Sequence, residues 1–248
     1  MIRDRLLAEK QAEIRALEGL RLAEVTPSRR DFAQFVATQK QGIALVPRLQ
    51  RRNPVTGRSW PGVDLPALAR ALDDCGAPAL AVATAALYGG SVDDIRAVAQ
   101  AAEAPILRDD LCLHPNQVYQ ARLCGADAVV LPAAHLPADR LAELAQISRS
   151  MHMMAVVEVC SIGELPAALD LAPACIGLCC TGAGGYADLD RVRQLAAAVP
   201  PQRTVVLLSE PSSLESLRTL DGCIDAAVVG DVLLDAPDPV ALMEQFTG

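Results

Sequence analysis

The sequence predicts one α/β domain, a (β/α)8 TIM barrel preceded by N-terminal helices. Eight short Val/Ala/Leu/Ile runs recur at intervals of about 20 to 30 residues, each followed by a longer helical pattern. The composition points the same way: 52% apolar, 21% charged and only 3% aromatic residues in a chain of 248 describe a large core of small aliphatic side chains. Such a core suits a parallel sheet buried under helices. An open doubly wound sheet would show fewer units and a Gly-rich first turn, and neither GxGxxG nor GxxxxGK[ST] is present.

The elements follow in order. Residues 2–18 pattern as an amphipathic helix through Ile2, Leu6, Leu7, Ala12, Ile14 and Leu17, and a second helix is expected after Pro27-Ser28-Arg29-Arg30. These form an N-terminal extension over 1–41, with the barrel in 42–248. Its strands are expected at 43–47, 79–84, 105–108, 127–131, 155–159, 174–178, 204–208 and 226–230. Helices are expected at 64–74, 92–102, 116–124, 138–148, 163–171, 189–199, 214–220 and 239–246.

Charge excludes some functions. A net charge of −8 is ill suited to nucleic acid or an anionic membrane, which need clustered Lys and Arg. The only two lysines are Lys10 and Lys40, so the barrel portion has none. The first residues are too charged for a signal peptide and no apolar run approaches the roughly 18 residues of a membrane span, so a soluble cytoplasmic chain is expected. Eight cysteines at 75, 112, 124, 160, 175, 179, 180 and 223 lack zinc-finger or disulfide-scaffold spacing. They are expected to be reduced and unmetallated, and no metal or cofactor is expected.

In such barrels chemistry sits where strands end. That rule selects Pro47 and Arg48, Thr84, Arg108 and Asp109, Glu158 and Cys160, Cys179 and Cys180, Ser209 and Glu210, and Gly230 and Asp231. Glu158, inside Ala-Val-Val-Glu-Val, is either an active-site carboxylate or a salt-bridged structural one. Asp109 and Asp110 are either functional carboxylates or a helix cap. If Asp109, Glu158 and Glu210 all enter the mouth, they must bind a cation, hold a proton or spread apart. Cys160, Cys179 and Cys180, with Cys112, either meet there as a soft-metal site or are buried small apolar residues. The loop Thr181-Gly-Ala-Gly-Gly185 either approaches a phosphate or is a plain turn. His114, His135 and His152 read as loop or surface residues.

The stretch Pro105-Ile-Leu-Arg-Asp-Asp-Leu-Cys-Leu-His-Pro-Asn-Gln-Val-Tyr-Gln-Ala-Arg-Leu-Cys-Gly-Ala-Asp-Ala-Val-Val-Leu131 resembles the third strand, loop and fourth strand of indole-3-glycerol phosphate synthase. Arg30-Asp31-Phe32, Tyr88-Gly89-Gly90-Ser91, Val157-Glu158-Val159, Ser209-Glu210 and Val229-Gly230-Asp231 match in the same order. The resemblance implies a lyase of tryptophan biosynthesis that closes an indole ring with loss of carbon dioxide and water. It implies a general-acid lysine on strand 3, a second lysine ending strand 1, and a glutamate on strand 5. Only the glutamate, Glu158, is retained. Asp109 stands at the strand 3 position, Pro47 at the strand 1 position, Cys179-Cys180-Thr181 replaces Asn-Asn-Arg, and Glu210-Pro211-Ser212 replaces Glu-Ser-Gly.

The resulting assignment is Glu158, Asp109 and Glu210 as catalytic candidates, with Arg48, Cys179, Ser212, Gly230 and Asp231 toward a small phosphorylated metabolite. A carboxylate at Asp109 repels the charge that an ammonium would stabilise, and no barrel lysine is present to take over. The chain is therefore expected to be impaired in this reaction. The alternatives are a non-catalytic barrel, acting as a binding or assembly partner of another protein or of its own copies, and an enzyme of altered chemistry on another phosphorylated metabolite.

Overall fold

Runs of small and branched side chains too short for a helix, spaced by helical segments, form parallel strands in the computed structural model, which describes residues 2–18, 25–32, 34, 42–171 and 175–247. The barrel strands are β1 (Ala44–Leu49), β2 (Leu80–Val82), β3 (Ile106–Leu111), β4 (Ala128–Pro132), β5 (Met154–Val159), β6 (Cys175–Leu178), β7 (Val205–Leu207) and β8 (Ala226–Val229). Each pairs in parallel with the next and β8 closes on β1. The eight expected runs are the eight strands.

Helix α1 (Ile2–Ala16) precedes the barrel, α2 (Leu65–Asp74), α3 (Val92–Ala101), α4 (Pro115–Cys124), α5 (Ala138–Ser150), α6 (Leu165–Leu169), α7 (Leu189–Ala196) and α8 (Leu214–Arg218) return the chain between strands, and α9 (Asp231–Leu234) and α10 (Pro239–Thr247) follow β8. Their starts are set locally. Asp64 accepts the Ala67 N–H at 3.1 Å, Asp188 that of Arg191 at 3.2 Å, and Ser213 that of Ser216 at 3.1 Å. Gly90 is demanded by close approach, since a Cβ there would lie 1.9 Å from the Ala83 carbonyl oxygen.

Alternation along the strands divides the core in two. Ala44, Val46, Ala79, Ala81, Leu107, Ala128, Val130, Val156, Val206 and Val228 pack inside the barrel. Leu45, Leu49, Ile106, Val129, Leu131 and Val157 face the helices. β1 runs two residues past the expected end at 47, which corrects one assignment: Pro47 shares the outward face of Leu45 and Leu49, and the inward residue near the mouth is Arg48. A short hairpin, Arg52–Asn53 with Arg58–Ser59, follows β1 and was not expected from the sequence.

The N-terminal extension touches both ends of the barrel. Phe32, 1% exposed, packs with the interior cluster, while Ser28 and Arg30 reach the carboxylate of Asp127, the residue before β4. Phe32 and Gln34 are helical, as the second helix requires; the rest of that helix lies outside the described residues. Among the described residues no helix is long and apolar enough to cross a membrane.

Candidate active site at the barrel mouth

Helix α1 lies over the C-terminal ends of the strands, held there by charge. Arg3 pairs with Glu158 on β5. Glu9 accepts the backbone N–H groups of Ala86 and Leu87 after β2. Lys10, only 1% exposed, pairs with Asp110, which also accepts the Thr84 hydroxyl at 2.7 Å. Glu13 pairs with both Lys10 and Arg108. Burial alone would raise the Glu13 carboxyl, but Arg108 and Lys10 outweigh it and hold it at about 2. Burial works against the Lys10 ammonium as well, and Asp110 overcomes it, raising the lysine above its ordinary value.

The barrel has no lysine of its own, but one reaches strand 3 from outside it. Lys10 does so from the N-terminal extension. It meets Asp110 rather than Asp109, however, and it does not line the mouth cavity. Arg108 faces outward, as alternation requires, and donates to the Gln117 carbonyl of α4 at 3.0 Å.

Inside the mouth one cation bridges two carboxylates. Arg48 donates to Asp109, to Glu210 at 3.3 Å and to the Leu208 carbonyl at 2.8 Å. Burial opposes the guanidinium charge, but Asp109 and Glu210 more than compensate. Glu210 in turn accepts the N–H of Gly230 at 3.0 Å and of Asp231 at 2.9 Å. Burial pushes its carboxyl up to about 7 despite Arg48, with Asp231 adding to the rise. Asp231 does not line the cavity; it accepts Gln50 at 3.1 Å, Asn53 at 2.9 Å and Thr56, which fastens the hairpin after β1.

The candidate carboxylates Asp109, Glu158 and Glu210 therefore reach one cavity but each has an arginine partner, Arg3 for Glu158 and the shared Arg48 for the other two, so most of the cluster's charge is offset from within. The cavity is about 110 Å³ and is also lined by Arg3, Arg48, Tyr88, Cys179 and Gly185. Burial pushes the Tyr88 phenol up to about 12. Of the remaining candidates, Gly230 and Asp231 are buried behind Glu210, and Ser212 is exposed and does not line the cavity. Among the cysteines, Cys160 and Cys179 come together beside Glu158, whereas Cys112 and Cys180 sit in the helix-facing core. Burial pushes the thiols of Cys112 and Cys180 each up to about 11. The loop from Thr181 closes as a turn, with the Gly182 N–H on the Tyr186 carbonyl at 2.7 Å, and brings Gly185 to the cavity edge.

With this geometry in hand, comparison with known proteins is decisive at one level. The family model for indole-3-glycerol phosphate synthase matches residues 3–246. The chain belongs to the indole-3-glycerol phosphate synthase family. It is 30% identical over 250 residues to the synthase of Syntrophobacter fumaroxidans, covering 99% of this chain and 92% of that one. Against indole-3-glycerol phosphate synthase 2 of Streptomyces coelicolor it is 32% identical, with 98% and 97% covered. Two solved structures share the fold. The tryptophan synthase alpha chain of Legionella pneumophila superposes with a TM-score of 0.60 at 12% identity, over 89% of this chain and 95% of that one. KGPDC from Streptococcus mutans in complex with D-R5P gives 0.60 at 14%, over 82% and 95%.

The synthase-family match takes in Arg3, Glu9, Lys10 and Glu13, so the helix over the mouth belongs to the matched span. What the sequence reading missed in this family member is that helix's role. Arg3 and Glu158 are 155 positions apart, and no periodicity or motif signals such a pair.

Proposed function

We propose that this member of the indole-3-glycerol phosphate synthase family is impaired or inactive in the ring-closing decarboxylation of a phosphorylated anthranilate derivative, its mouth being held by its own ion pairs. The observation that carries this reading is the Arg48 bridge: the one arginine set between Asp109 and Glu210 is consumed by them, while Glu210 takes the amides of Gly230 and Asp231.

The reaction needs a proton donor and positive charge opposite Glu158 as the carbonyl oxygen leaves, and a cradle for phosphate. Asp109 supplies negative charge at the first place. Arg48 has a cation but no proton to give near neutral pH, since a guanidinium holds its protons too tightly. At the second place a carboxylate already occupies the N–H donors that a phosphate would use, and Pro211 brings none. Size adds to charge. Sites for small metabolites commonly enclose about 300 to 1,000 Å³, several times this cavity. Arg3 and Leu6 of α1 are among the residues that line and narrow it.

A second reading is favoured by one observation. Glu210, poised at about 7 beside the cavity, exchanges a proton easily at neutral pH and suits acid/base chemistry on a different, smaller phosphorylated metabolite. Complementation separates the two from authentic synthase activity. A tryptophan auxotroph lacking the synthase should stay auxotrophic when it expresses this chain at levels verified by immunoblot; growth without tryptophan would refute the proposal.

A further inference from the structure

The inward positions of two neighbouring strands place a carboxylate and two thiols together. Glu158 and Cys160 are two residues apart on β5 and at its end, and so share a face. Glu158 pairs in register with Gly177 of β6, and Cys179 lies two beyond Gly177. Position 177 itself has no room for a side chain, because a Cβ there would meet Leu208 Cδ1 at 2.6 Å and Val156 Cγ1 at 2.9 Å, so the inward group of this strand near Glu158 is Cys179. One ligand atom each from Glu158, Cys160 and Cys179 lie within 4.8 Å of one another. We propose that these three residues form a binding site for a soft divalent cation of the zinc type, a role that does not depend on the reading of the synthase reaction.

Three atoms so spaced have a common point within about 2.8 Å of each, and small rotamer changes bring it to zinc distances of about 2.3 Å for sulfur and 2.0 to 2.2 Å for oxygen. The backbone that carries them is fixed. The Cys160 N–H donates to Glu164 at 2.7 Å, its carbonyl accepts Arg191 at 3.0 Å, and the Cys179 N–H donates to the Val159 carbonyl at 3.0 Å. Two sulfurs and one carboxylate select zinc over magnesium or calcium, which prefer all-oxygen shells.

The site already holds positive charge. Arg3 pairs with Glu158 through one nitrogen and donates through Nε to His135 Nε2 at 3.1 Å. An entering cation takes over Arg3's place on Glu158, and the two thiol protons leave to solvent. Three protein ligands leave a fourth position for water or for His135, and since Glu158 and Cys179 line the mouth cavity that position faces it. The two short segments Glu158-Val-Cys160 and Gly177-Leu-Cys179 are thus the sequence form of the site.

The test uses the full chain, reduced and stripped with a chelator. Titration with Co²⁺ should give one equivalent bound, with sulfur-to-cobalt charge-transfer absorption and tetrahedral d–d bands, all lost on adding one equivalent of Zn²⁺. Cys160→Ser and Cys179→Ser should each weaken zinc binding at least 10- to 100-fold, on the order of what even outer partners of a metal cost. Glu158→Gln, which leaves both thiols in place, should shift the d–d bands and weaken binding. Arg3→Ala should strengthen binding by removing the competing cation. A fully reduced, folded protein that shows no charge-transfer band, or a band that survives the Cys160→Ser/Cys179→Ser double variant, would overturn the proposal.

Discussion

The Glu210 carboxylate accepts the Gly230 N–H at 3.0 Å, filling from within the amide cradle that follows β8. An anion from solution must compete with a side chain that is tethered there and partnered by Arg48. Titration with a phosphorylated anthranilate-type ligand should accordingly give binding weaker than about 100 μM. Glu210→Gln removes the competing charge and leaves Arg48 with Asp109 as its one carboxylate partner, and should tighten binding roughly tenfold, about 1.4 kcal/mol. Low-micromolar binding by the unaltered chain would show that the cradle is accessible.

Glu210 also sets a pH dependence. Its carboxyl stands at about 7 in the folded chain against an ordinary value of 4.5, so between those values the native state holds a proton that the unfolded state has lost. Its contribution to stability is fully present below about pH 4.5 and is lost as pH rises through 7, a change of about 3 kcal/mol. Urea unfolding of the unaltered chain should show this fall, and Glu210→Gln should flatten it. Equal slopes for both proteins would contradict the assignment.

Glu13 works in the opposite sense. Held at about 2 by Arg108 and Lys10, it contributes stability above pH 4.5 that is lost as pH falls toward 2. Glu13→Gln should remove that acid limb while leaving the Glu210 limb intact, a separation that unfolding curves across the acid and neutral ranges resolve.

Lys10 is the buried centre of the contact between α1 and β3. Replacing it with Met leaves buried Asp110 with only the more distant Arg108 at 3.7 Å, a loss toward the lower end of about 3 to 5 kcal/mol. The melting temperature should fall by roughly 10 °C, at 2 to 4 °C per kcal/mol for a chain of this size. The Lys10→Met/Asp110→Asn double variant should recover part of the loss, and purely additive losses would mean that the pair is not coupled.

The barrel was legible because strand and helix periods are local: the run Asp127 to Leu131, one of eight in a regular rhythm, is expected as a strand, and Ala128–Pro132 is one. Asp109 and Glu158 could be placed at the mouth by the same logic, from strand ends alone. Pro47 was misplaced because a proline suggests a strand end, yet β1 continues to Leu49 and alternation turns Pro47 to the helices. The partners were not legible. Arg3 reaches Glu158, and Lys10 reaches Asp110, only after the chain has wound a helix across a closed barrel, and contacts at that separation leave no mark on local pattern. The meeting of Cys160 with Cys179 likewise depends on the register of β5 with β6, which spacing along the chain does not reveal.

The most direct test of the central claim is an indole-fluorescence assay of the purified chain with the phosphorylated carboxyphenylamino-deoxyribulose substrate. Losing a positioned general acid costs roughly 10² to 10⁴ in rate, and Asp109 adds repulsion to that loss. The account predicts no turnover above background in the unaltered chain, and a trace in Asp109→Lys, which restores an ammonium inside the mouth. Robust turnover by the unaltered chain, abolished by Glu158→Gln, would contradict it.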